Sequence, residues 1–118
     1  MKTNDPQAPS LHLDTLLYRK GMLTIRALNH PLRQQMLKLM HQRGRATVTE
    51  IYTKLRLEQP VASQHLGILR NAGYVKTQRE GKLIYYAVNY TLLEEANRVI
   101  EGLVTLTRSP RNDSTKPS

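Results

Sequence analysis

Gln59-Pro60-Val61-Ala62-Ser63-Gln64-His65-Leu66-Gly67-Ile68-Leu69-Arg70-Asn71-Ala72-Gly73 reads as one helix closed by a glycine. Laid out at 100° per residue, Val61, Ala62, Leu66, Ile68, Leu69 and Ala72 share one face. Ser63, Gln64, Gly67, Arg70 and Asn71 share the other, and no carboxylate interrupts it. Small and polar side chains without acidic neighbours let a helix lie close to phosphates and read base edges. Gly73 stands where a left-handed residue ends a helix.

Upstream, the brief turn Arg56-Leu57-Glu58 separates this helix from a shorter one over Thr47 to Leu55. Thr47 and Glu50 have the spacing of a capping box, and Val48, Ile51, Tyr52 and Leu55 face inward. Before that, Pro31 opens a helix whose inner face carries Leu32, Met36, Leu39 and Met40, with Asn29 or His30 as cap and Gly44 as stop. A first helix spans Leu13 to Leu28 and is apolar on two sides. Leu13, Leu16, Leu17, Leu23 and Ala27 form one stripe, and Tyr18, Met22 and Ile25 the other. Two apolar sides call for two packing partners, which points to a second subunit.

Downstream, the β-prone runs Tyr74–Arg79 and Leu83–Val88 flank Glu80-Gly81-Lys82 and read as a hairpin. The last helix, Thr91 to Thr107, carries a wide apolar arc of Leu92, Leu93, Ala96, Val99, Ile100, Leu103, Val104 and Leu106. The order is therefore α-α-α-α-β-β-α. It is mainly α with a small β-hairpin, a winged helix-turn-helix, with excess apolar surface on the terminal helices. Residues 1-10 and 108-118, rich in Pro, Ser, Thr, Asn and Asp, are expected to be disordered tails around a single domain at 11-107.

Composition narrows the partners. The 118 residues contain no Cys, Trp or Phe, so disulfides and thiolate metal sites are excluded. The core must come from Leu, Ile, Val, Met and Tyr. Of the net charge of +9, residues 19–82 hold 13 Lys and Arg against 3 Asp and Glu. A concentrated basic stretch favours a polyanionic partner. There is no bilayer-spanning apolar run and no secretory signal pattern at Met1 to Ser10, so a cytoplasmic location and no membrane partner are expected. No phosphate-binding glycine loop, nucleophile motif or paired carboxylates suggest an enzyme.

Four fragments in this order resemble the ArsR/SmtB family of bacterial transcription repressors. They are Ala27-Leu28-Asn29-His30-Pro31-Leu32-Arg33, Gln59 to Leu66, Leu69-Arg70-Asn71-Ala72-Gly73-Tyr74-Val75, and Arg79-Glu80-Gly81-Lys82-Leu83-Ile84-Tyr85-Tyr86. The resemblance covers roughly residues 15 to 105. It implies a homodimer paired through its first and last helices, with the Gln59 helix in the major groove of double-stranded DNA and the hairpin as a wing. It also implies a roughly palindromic operator.

Carried onto this sequence, the resemblance makes Ser63 and Gln64 base-contacting residues, with Gln59 and Pro60 at the helix entrance; the alternative is an ordinary solvated helix face. Two readings stand for His65, whose helical angle falls in the apolar face: a DNA contact or a satisfied structural histidine. Arg70 is a phosphate contact at most. Arg79 and Lys82 either reach the DNA backbone or adjacent minor groove, or are charged for solubility alone. Arg45, Lys54 and Arg56 add sequence-independent attraction.

Relatives that bind metal through a Cys-x-Cys pair match Thr47 and Thr49 here, and neutral hydroxyls are poor ligands for soft metals. The last-helix ligand positions of other relatives match Tyr90, Leu92, Leu103 and Leu106. Of His12, His30, His41 and His65, no two have helical i, i+3 or i, i+4 spacing. No metal and no cofactor are therefore expected, and the effector is unknown. The competing reading is a winged-helix module for protein assembly or RNA binding.

Overall fold

A computed structural model describes residues 7–115, with side chains through 108. The elements are α1 (Thr15–Arg26), α2 (Pro31–Arg43), β1 (Ala46–Thr47), α3 (Val48–Lys54), α4 (Gln59–Ala72), β2 (Val75–Glu80), β3 (Leu83–Val88) and α5 (Tyr90–Thr115). Local chemistry sets most of these limits. Asp14 caps α1 by accepting from the Leu17 amide at 3.0 Å, so Leu13 stays outside the helix. His30, not Asn29, caps α2: its Nδ1 accepts from the Leu32 amide at 3.0 Å, and Pro31 occupies the first turn. Thr47 and Glu50 close a full capping box on α3, with bonds of 3.2 and 2.9 Å.

The two helices of the helix-turn-helix end in the same way. After α3, the amides of Arg56 and Leu57 donate to the carbonyls of Thr53 and Tyr52. After α4, those of Gly73 and Tyr74 donate to Arg70 and Leu69. Both are Schellman closures around a residue of positive φ, 59° at Arg56 and 93° at Gly73. Arginine tolerates that conformation at a cost, while glycine adopts it freely.

The sheet holds three strands in the order β1-β3-β2, all antiparallel. The hairpin expected from sequence is present, with Glu80 opposite Leu83 across the two-residue link Gly81-Lys82. Positive φ falls on Gly81 alone, as in a type II′ turn. β1 is an addition to the predicted order. Two residues, Ala46 and Thr47, are too short to show a period, and their pairing with Tyr86 and Tyr85 depends on the open edge of β3.

Met36 and Met40 of α2, Ile51 of α3, Leu66 and Leu69 of α4, and Tyr74 are the largest fully buried side chains. Ala27, Leu37, Leu39, Ala46, Ala62, Val75, Val88 and Ala96 complete the core around them. The Tyr74 hydroxyl donates to the Thr24 carbonyl of α1 at 3.1 Å, so its polar end is satisfied. Burial pushes that phenol's pKa up. Asn89 ties α5 to the end of α4, donating from Nδ2 to the Gly73 carbonyl at 2.9 Å.

The terminal helices are integrated differently. α1 buries no residue at all, and Leu16, Leu17, Met22 and Leu23 are each more than half exposed. On α5, Ala96 is buried while Val99, Leu103, Val104 and Leu106 are exposed. α5 also continues through residues 108–115, a stretch that composition assigns to a tail. Once a helix is nucleated, each further residue adds a hydrogen bond at low cost. The expected N-terminal tail at residues 1-10 lies outside the described residues up to residue 6, and residues 7–10 are exposed and outside any helix or strand.

A methyl group at Gly73 would meet Leu92 Cδ2 at 2.7 Å in addition to the strained φ. Gly73→Ala is expected to lower unfolding free energy by about 1–2 kcal/mol, read as a reduced urea midpoint at unchanged slope.

Candidate nucleic-acid interface

Because Ala62, Leu66 and Leu69 are buried, the orientation of α4 about its axis is fixed and its other side must face solvent. Gln59, Pro60, Ser63, Gln64, Arg70 and Asn71 are all exposed there, and Gly67 between them is half-buried. The helix itself contains no acidic residue, and Glu58 immediately before it makes no side-chain capping bond. The amides of Val61 and Ala62 both turn back to the Glu58 carbonyl at 3.1 Å, and the positive end of the helix dipole lies beside Gln59 and Pro60. The exposed hydroxyl of Ser63 and amide of Gln64 can each donate and accept.

His65 belongs to the same helix and takes a different direction. It is half-buried and faces α2, with Nδ1 3.0 Å from Arg33 Nη1 and its ring centroid 4.6 Å from that of His30. Burial first, then the neighbouring His30 and Arg33, lower its pKa below the ordinary 6.5. Of the two readings open for His65, this geometry describes the structural one.

The wing tip carries Arg79 and Lys82, both exposed. Arg79 reaches the Gly81 carbonyl, at 3.4 Å. Glu80 lies between them, and Arg45 holds its carboxylate through two bonds of 2.7 and 3.1 Å. The guanidinium also lies 3.8 Å from the centre of the Tyr85 ring. Arg45 is thus engaged in bracing the wing rather than standing free beside Lys54 and Arg56. Its hydrogen bond lowers the Glu80 pKa from the usual 4.5, while Glu80 raises that of Arg45.

Sequence reading missed two residues. Arg33 is buried on α2, and its spacing to Met36, Leu37 and Met40 is i, i+3, i+4, i+7. An arginine within an apolar stripe was the signal that it must find buried acceptors. Glu80 gave no signal, since its partner Arg45 is 35 residues away. Among the described residues, no group of three or more His, Cys, Asp or Glu could hold a metal ion. Met36 and Met40 lie in the core, whereas Met22 is exposed.

The sequence pattern described as "Bacterial regulatory protein, arsR family" matches residues 30–77, from the α2 cap into β2. Over 91 residues the chain is 37% identical to a biofilm growth-associated repressor of Agrobacterium fabrum, covering 77% of this chain and 74% of that one. Over 86 residues it is 33% identical to an uncharacterized HTH-type transcriptional regulator of Methanocaldococcus jannaschii, covering 73% and 97%. Among solved structures, HlyU from Vibrio cholerae superposes with a TM-score of 0.57 at 30% identity, over 76% of this chain and 94% of that one. The transcriptional repressor BigR from Xylella fastidiosa gives 0.55 at 27%, over 78% and 90%.

Arg45→Ala should free the wing without unfolding the domain, because an exposed ion pair contributes little to global stability. The expected result is faster amide exchange from Arg79 to Leu83 at an almost unchanged melting temperature. Acid should likewise loosen the wing of the natural chain, read as lower protection factors, because intrinsic amide exchange itself slows as pH falls. Since the Glu80 pKa is lowered in the fold, the brace is intact above 4.5 and is lost as pH falls through that lowered value.

Proposed function

The chain belongs to the arsR family of bacterial regulatory proteins, and we propose that it acts as a homodimeric repressor of a roughly palindromic operator. The observation that carries this reading is the exposed, acid-free face of α4, held rigidly by a buried opposite face and flanked by a braced basic wing. Ser63 and Gln64 read base edges in the major groove, with Gln59 and Pro60 at the helix entrance. Arg70, Arg79 and Lys82 contact phosphates, with Lys54 and Arg56 adding charge. Such a regulator works where the chromosome is, in the cytoplasm.

Support for the dimer comes from α1 and α5. Their exposed leucines, valines and Met22 form apolar faces too large for a lone small domain to leave in water. Two subunits joined through these faces would present two equivalent recognition helices to two half-sites. Asn71, exposed on the same side of α4 as Arg70, joins the candidate contacts.

Selection of bound duplexes from random DNA tests the reading directly. A two-fold symmetric consensus is expected. Equal affinity for arbitrary duplexes and RNA would favour a module for assembly or RNA binding instead. Gln64→Ala should keep the oligomeric state and lose about 1–3 kcal/mol of discrimination at one base position of each half-site, measured by competition with single-base variants. Leu103→Glu, on the apolar face of α5, should give a monomer by sedimentation. Its operator affinity should fall by about a hundredfold or more, because the second half-site is no longer tethered.

A further inference from the structure

We propose that Arg33 is a positioning residue for DNA recognition, clamping α4 to the end of α1 through His65, and that the clamp holds only while His65 is unprotonated. The proposal rests on the reading of α4 as the DNA-reading helix. Arg33 sits in the first turn of α2 and is 8% exposed. Its Nε donates to the Ala27 carbonyl at 2.7 Å, and Nη2 approaches the Arg26 carbonyl at 3.4 Å. These carbonyls end α1, where the helix dipole is negative, so a buried cation is compensated without a carboxylate. The remaining arm, Nη1, lies 3.0 Å from His65 Nδ1.

The chemistry of that last contact is one-directional. A guanidinium has donors only, so Nδ1 of His65 must offer a lone pair. The histidine is therefore neutral, with its proton on Nε2. Protonation would set N–H against N–H and cation against cation. The ionisable groups facing His65 among the described residues are His30 and Arg33, neither of them a carboxylate that would favour a charged ring. The Nδ1 of His30 accepts from the Leu32 amide as the cap of α2.

Geometry connects this cluster to both ends of the function. His65 directly follows Gln64, so the residue that ties α4 to Arg33 adjoins a residue that faces the groove. At the other end, α1 buries none of its own residues. The bonds from Arg33 to residues 26 and 27, from Tyr74 to Thr24, and from Gln34 to Leu28 hold its carboxyl-terminal end. Of these, Arg33 alone continues by its own side chain to α4. A displacement of the end of α1 would reach the recognition helix along this path and through the Tyr74 bond to Thr24.

The test measures anisotropy of a labelled duplex taken from the random-sequence selection, at pH 7.5 and 5.5 and constant ionic strength. Added positive charge alone would tighten binding on acidification. The clamp predicts the opposite, a loss of affinity that deepens as the pH falls. His65→Leu should weaken binding at pH 7.5 by tenfold or more. His65→Gln, whose amide oxygen can accept from Arg33, should recover most of that loss and shrink the acid-induced fall at least threefold. Arg33→Lys keeps the charge but not the fork, and should weaken binding at an unchanged helical signal. If that variant does not fold, the His65 pair still decides.

An undiminished acid-induced fall in His65→Gln, or natural affinity in His65→Leu, overturns the proposal. Gln64→Ala, run alongside, separates the two levels. If it loses base discrimination while the His65 variants behave as the natural chain, the clamp is wrong and the reading of α4 stands. If Gln64→Ala keeps full discrimination, the reading of α4 has failed and the clamp falls with its premise.

Discussion

The burial of Leu66 and Leu69 in a core shared with Met36, Met40, Ile51 and Tyr74 is the constraint from which the rest of the molecule follows. Each such side chain contributes about 1.5–3 kcal/mol when removed from water, and together they forbid rotation of α4 about its axis. Ser63 and Gln64 therefore point outward because their neighbours cannot. Tyr74 extends the same constraint in two directions. It starts the chain towards β2, and its hydroxyl reaches back to α1.

Charge is managed on the same side of the molecule. The segment 19–82 contains three carboxylates, Glu50, Glu58 and Glu80. Glu50 is occupied in the α3 capping box and lies 3.8 Å from Arg43, and Glu80 is held by Arg45. Two of the three are thus paired, so the outward field of the helix-turn-helix and wing is set by cations. An acidic residue at a wing tip would oppose an approaching phosphate. Paired with Arg45 over Tyr85, it serves as a structural tether.

Helices α1 and α5 obey a different rule. Their amphipathic patterns are strong, yet one chain satisfies them only in part, which is why exposed leucine accumulates at the two ends of the sequence. Polar attachments substitute for packing where α1 meets the rest. A donor-rich buried arginine and a buried tyrosine hold the backbone carbonyls of its last turn. Hydrogen bonds of this kind are directional, so they fix position more sharply than apolar contact does.

Local signals in the chain determined most of the element limits. Pro31, the Thr47–Glu50 box, Gly73 and the Gly81 turn act on the residues beside them, and periodicity assigned the faces of α2, α4 and α5. The outward residues Gln59, Pro60, Ser63, Gln64, Arg70, Arg79 and Lys82 were legible for the same reason. Tertiary structure alone decided what joins distant segments: β1 on β3, Arg45 with Glu80, and His65 with Arg33. A strand of two residues has no period, and a side chain 32 positions away leaves no local trace. The fate of His65 could not be settled on a helical wheel, because an angle within the apolar face does not tell whether the nearest neighbour is a hydrocarbon or a guanidinium.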